Sequence, residues 1–86
     1  MREYRVRFAR SVRKELESLD SNLVARIFPR IEALSRNPRP TGCRKLRGTR
    51  NLWRIRVGEY RIVYEIRDDA GLIDVVVVRH RRDAYK

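Results

Sequence analysis

Apolar and basic side chains alternate through Tyr4-Arg5-Val6-Arg7-Phe8. A period of two belongs to a strand with one face against a core. The period then lengthens: Phe8, Val12, Leu16 and Leu19 recur at helical spacing, with Arg13, Lys14, Glu15 and Glu17 on the other side. That pattern predicts an amphipathic helix over about residues 9–19. Asp20-Ser21-Asn22 interrupts it and supplies a cap for a second helix, whose stripe is Leu23, Ile27, Ile31 and Leu34 and which Asn37-Pro38 closes. The two stripes face each other or a sheet. Pro29 sits inside the second helix, where the missing amide N–H costs about 3 kcal/mol unless the chain adjusts. A kink near residues 26–29, or two short helices, is expected.

Residues 37–51 hold Pro38, Pro40, Gly42 and Gly48 and read as a loop. It carries Arg39, Arg44, Lys45, Arg47 and Arg50, the most basic connection of the chain. It is either a solvated connector or a rim that tracks phosphates beside a binding face. From Leu52 to Ile66 strand-type residues flank Gly58-Glu59, a two-residue hairpin loop with glycine first, the signature of a type II′ turn. This turn sets Val57 against Tyr60, Arg56 against Arg61, Ile55 against Ile62 and Arg54 against Val63. Facing like charges are unfavourable by up to roughly 1 kcal/mol per pair. Alternation sends Trp53, Ile55, Val57, Tyr60, Ile62, Tyr64 and Ile66 to the core, and Arg54, Arg56, Arg61, Val63 and Glu65 to the opposite surface. Three guanidinium groups with one nearby acid make sense if an anion sits among them, since guanidinium grips phosphate oxygens through paired donors. The competing reading is a wetted basic face whose repulsion is screened by salt.

After a turn at residues 68–71, Leu72-Ile73-Asp74-Val75-Val76-Val77-Val78 is apolar nearly throughout, which predicts an interior strand covered on both faces. It lies beside the preceding strand, so its end brings His80, Arg81 and Tyr85 toward Arg61. The architecture implied is α+β: two amino-terminal helices packed on one face of a small, mainly antiparallel four-stranded sheet, in the order β-α-α-β-β-β, one domain spanning residues 1–86.

Charge narrows the partner. Twenty-two Lys and Arg against 11 Asp and Glu give a formal charge of +11, a field suited to a polyanion, with nucleic acid foremost. Cys43 stands alone and can make neither an internal disulfide nor a metal cage, which favours a reducing, cytoplasmic setting. The opening MREYRVRF lacks the apolar run of a signal peptide, and no stretch approaches the ~18 apolar residues of a membrane span. With no carboxylate cluster or His/Cys set, neither metal nor cofactor is expected.

Three segments, Lys45-Leu46-Arg47-Gly48, then Leu52-Trp53-Arg54-Ile55-Arg56-Val57-Gly58-Glu59-Tyr60-Arg61-Ile62-Val63-Tyr64, then His80-Arg81-Arg82-Asp83-Ala84-Tyr85, resemble the RelE/ParE toxin superfamily. The ending is more similar to its RelE-like messenger-RNA endonucleases of type II toxin-antitoxin pairs than to the ParE-like branch. The resemblance implies a nuclease acting on mRNA in the A site of a 70S-type ribosome, silenced by an acidic RelB-like antitoxin with which it assembles. It carries the family's basic strand positions onto Arg54, Arg56 and Arg61, with Lys45 and Arg47 as further phosphate contacts, and its carboxy-terminal Arg and Tyr onto Arg81 and Tyr85. Arginine stands at Arg54 and Arg56 where RelE-like enzymes often have lysine, which suits these positions to charge stabilisation and not to proton transfer. The alternatives are a ParE-like inhibitor of DNA gyrase without ribonuclease activity, or an inactive RelE-like protein that binds nucleic acid. Metal-free cleavage by the ribose 2′-OH fits the inventory. Arg61 meets the charge on phosphorus, Tyr85 orients or deprotonates the 2′-OH, and Arg81 or His80 protonates the leaving oxygen.

Overall fold

The computed structural model describes residues 3–82. Strand β1 (Arg5–Phe8) leads into helices α1 (Arg10–Ser18) and α2 (Ser21–Ala33), followed by β2 (Arg44–Lys45), β3 (Leu52–Val57), β4 (Tyr60–Arg67) and β5 (Leu72–His80). The strands form one sheet in the order β1-β5-β4-β3-β2, antiparallel except where β1 runs parallel to β5. Both helices bury their stripes on the same sheet face: Val12, Ile27, Ile31 and Leu34 meet Ile55, Ile62, Tyr64, Ile66, Ile73 and Val75 in a single apolar cluster. The α+β expectation holds, with one strand more than the pattern implied.

That extra strand is β2, in the stretch read as a loop. Two residues are too few to display an alternation, yet they pair with β3, Arg44 against Arg54 and Lys45 against Trp53. Two further expectations change. Helix α2 runs through Pro29 as one helix, with Asp20 capping it by accepting from the Asn22 amide. Pro29 and Ala25, whose carbonyl loses its bond, are both exposed, so water can serve that carbonyl. Strand β5 is interior in the sheet but buried on one face only, through Ile73, Val75 and Val78. Tyr64 pairs with Val75 and Val63 with Val77, so Val76 is the extra residue of a β-bulge. The bulge slips the alternation by one, and a run of four valines satisfies either phase.

The hairpin closes as its sequence requires. Gly58 has φ +58°, and no non-glycine residue described has positive φ. A type I′ turn would need positive φ at Glu59 as well, so the geometry agrees with type II′. All four strand pairings expected from that turn are present, including Arg56 opposite Arg61.

Candidate nucleic-acid interface

The sheet face turned away from the helices carries the arginines. Register places Arg56, Arg61 and Arg79 in one row across β3, β4 and β5, and Arg44 beside Arg54 in the next. Three facing pairs of like charge result, each disfavoured by up to roughly 1 kcal/mol. Arg44, Arg56 and Arg79 are exposed and have no ion pair among the described residues. Val63 continues that second row beside Arg54 and is only 6% exposed. The single acid expected near the cluster, Glu65, is turned to Arg67 at 2.9 Å.

At the hairpin tip, Arg56, Gly58, Glu59, Tyr60, Arg61 and Arg81 line a hollow of about 50 Å³. The Arg81 amide donates to the Glu59 carbonyl at 2.6 Å, which straps the chain leaving β5 to the turn. Arg56 of β3, Arg61 of β4 and Arg81 just after β5 thereby share one hollow, and no ion pair joins Glu59 to Arg56 among the described residues. A concave group of permanently charged, forked donors is suited to one phosphoryl group.

Of the residues singled out in the sequence, Arg54, Arg56, Arg61 and Arg81 meet on this face. His80 does not join them. It pairs across the strands with Tyr60, on the core side, where the two rings stand edge to face at 5.3 Å. Its Nδ1 accepts from the Arg82 amide at 3.1 Å, which leaves the proton of the neutral ring on Nε2. Lys45 shares the Trp53 side of the sheet, and Arg47 is exposed in the turn after β2. Tyr85 lies outside the described residues. Sequence reading missed Arg79 and set Arg44 in a loop. Without the bulge, counting from the turn at residues 68–71 would put Val78 opposite Arg61, so nothing in the valine run points to Arg79.

The opposite end of the same face is neutralised. Asp74 accepts from Arg7 Nε at 2.9 Å and Nη2 at 3.3 Å, and Arg67 Nε approaches it at 3.7 Å. Hydrogen bonds donated to carboxylates hold the Arg7 and Arg67 guanidiniums above their ordinary range, Arg7 through Asp74 and Arg67 through Glu65. Nearby, Asp68 accepts from both Tyr4 and Arg39, and the Arg39 guanidinium lies 5.0 Å over the Trp53 ring. The Tyr64 phenol donates to the Pro38 carbonyl at 2.7 Å, and burial pushes its pKa well up, with Cys43 adding to the effect. These contacts tie the segment after α2 to the sheet.

A two-helix α+β domain with a row of arginines on its uncovered sheet face defines a class of small basic proteins. Residues 6–85 match the family described as ParE toxin of type II toxin-antitoxin system, parDE, and the chain belongs to that family. Among relatives, it is 31% identical to Toxin RelG of Mycobacterium tuberculosis over 84 residues, covering 96% of this chain and 97% of that one. The crystal structure of the archaeal RelE-RelB complex from Pyrococcus horikoshii superposes with a TM-score of 0.82 at 30% identity, covering 92% of this chain and 96% of that one. The toxin-antitoxin complex RelBE2 of Mycobacterium tuberculosis gives the same TM-score and identity, covering 94% of each chain.

Proposed function

We propose that this toxin is a ribosome-dependent endoribonuclease that cleaves mRNA in the A site without a metal. The 2′-oxygen of the substrate bonds to the adjacent phosphorus as the bond from phosphorus to the 5′-oxygen breaks. A 2′,3′-cyclic phosphate and a free 5′-hydroxyl remain. The 2′-OH proton passes to a base and another is delivered to the leaving oxygen. Arg61 opposes the charge that builds on the phosphoryl oxygens, while Arg56 and Arg54 hold the scissile and flanking phosphates. Tyr85, by its family position, orients or deprotonates the 2′-OH. Arg81, by its family position, is the candidate to donate to the leaving oxygen, since His80 lies on the core side beside Tyr60.

The observation that carries this reading is the convergence of Arg56, Arg61 and Arg81 on a hollow of about 50 Å³. Arginine cannot serve as a tuned acid or base at neutral pH, so such a site works by charge and alignment. Alignment by a second body supplies several kcal/mol of a barrier, which fits an enzyme that borrows the ribosome to position its RNA. The partner proposed to silence it is an acidic, RelB-like antitoxin, supported by the RelE-RelB complex of the archaeal relative and by the charge of +11. Its setting would be the cytoplasm, where ribosomes are; no described helix is long and apolar enough to cross a membrane.

Purified toxin added to a translation extract should cut mRNA at ribosome-occupied codons and leave 2′,3′-cyclic phosphate ends. Intact mRNA together with poisoned DNA gyrase would overturn this in favour of a ParE-like action.

A further inference from the structure

A second and larger hollow lies at the edge of the sheet, where β2 stops. Arg30 of α2, Gly42, Arg44 of β2, and Arg54 and Arg56 of β3 are among the residues that line it, and its volume is about 300 Å³. The two-residue β2 pairs only Arg54 and Trp53, so Arg56 stands beyond its end. Gly42 turns the backbone aside with φ +93°, and a Cβ there would meet nothing within 4 Å. The space is open, and four guanidinium-bearing residues surround it.

Arg30 is the least expected of them. Its helical neighbours at three and four positions are Arg26, Ile27, Ala33 and Leu34, so α2 offers it no acid and one like charge. Neither Arg30 nor Arg44 has an ion pair among the described residues. Arg26 crowds the same side, its Nη2 lying 3.1 Å from where a Cβ on Gly58 would be. A basic ridge on α2 thus runs beside the sheet edge and repeats, from another element, the conflict seen in the arginine row.

Arg56 lines both hollows, which makes them neighbours along β3. Arg54 and Arg56 are two strand residues apart, about 7 Å along the chain direction, a step comparable with that between neighbouring phosphates of an extended strand. We propose that the edge hollow is a second phosphate site, in which Arg30 and Arg44 hold a backbone phosphate flanking the one at the hairpin tip. This rests on the reading that RNA passes the tip. The two arginines bind single-stranded RNA without touching the reacting atoms. A phosphate explains adjacency to the tip better than a protein carboxylate does, because successive phosphates are bound to each other at a fixed spacing.

The test uses the full chain and a 2′-O-methylated oligoribonucleotide, which cannot be cleaved. The double variant Arg30→Gln/Arg44→Gln should bind it about tenfold more weakly, the loss of one charge-assisted contact. The slope of log affinity against log salt should fall in magnitude by about 0.7, as expected for one phosphate of a single strand. Arg30→Lys/Arg44→Lys should restore the slope, which a structural role would not produce. If the native protein binds the probe and the Gln variant binds it equally well, the second site is overturned and the proposed activity stands. A native protein that binds no free oligoribonucleotide also overturns the second site, whereas the activity falls only if the translation extract shows intact mRNA. A variant that keeps its RNA affinity but loses affinity for polyglutamate assigns the hollow to an acidic protein and overturns the proposal.

Discussion

Near the β4–β5 turn, Arg7 and Arg67 each lie 2.9 Å from a carboxylate, and Arg39 does the same with Asp68. At the hairpin end of the same sheet, about one strand length away, Arg56 faces Arg61 and Arg61 faces Arg79. The residue type is the same and the surroundings are opposite. Exposed ion pairs contribute about 0–1 kcal/mol each, and facing like charges cost a comparable amount, so the two ends differ in sign more than in size. One end is arranged for the stability of the chain alone. The other sets like charges against each other across the strands, a local inconsistency of the kind that tends to mark function in otherwise consistent folds.

The largest test of this contrast is Arg61→Ala against Arg7→Ala. Removing a preorganised charge from a phosphoryl transition state costs on the order of 10²–10³ in rate, so Arg61→Ala should lose mRNA cleavage by that factor in a translation extract. Arg7→Ala should keep its cleavage rate and lose only stability. Equal losses in both variants would mean that the arginine row is not the reacting site.

A second difference concerns pH. Arginines stay charged over the accessible range, so the arginine row itself does not titrate. Tyr64 is different, because its burial favours the neutral phenol. A raised folded pKa means that stability is fully present below the unfolded value of about 10 and is lost as pH rises above it, because the unfolded chain ionises first. Tyr64→Phe should abolish that alkaline loss in denaturant melts. At neutral pH it should cost about 1–3 kcal/mol, since the Pro38 carbonyl loses its donor. An unchanged alkaline profile in the variant would place the titration elsewhere.

How far the sequence foretold these two ends follows from chain distance. The Arg56–Arg61 opposition was legible because one turn, Gly58-Glu59, sets it within six residues. The cores of both helices were legible from period alone, as Val12, Ile27 and Ile31 bear out. Arg79 was not, because its partner is set by a bulge at Val76 that a uniform valine run conceals. Nor was β2, whose two residues carry no period, nor the edge hollow, which needs α2 and β3 together. Asp74 belongs to the same group: its pairing with Arg7 joins strands 67 residues apart, through a parallel register that no local pattern encodes. Asp74→Asn should cost up to about 1 kcal/mol in the same melts and leave RNA cleavage intact.

The finest test puts one substitution at both ends. Arg56→Glu would set a carboxylate against Arg61, turning a repulsive cross-strand pair into an attractive one and stabilising the fold by up to about 1 kcal/mol. In a domain of this size that raises the melting temperature by about 4–8 °C per kcal/mol. RNA binding should collapse in the same variant, because the new acid neutralises Arg61 and repels phosphate. Arg7→Glu should do the reverse: it sets two carboxylates together at Asp74, lowers the melting temperature and spares cleavage. Opposite signs of stability change from an identical replacement would locate the stored repulsion at the hairpin. A melting temperature that fell in both variants would mean that the chain itself already neutralises Arg56, leaving no gap for a phosphate to fill.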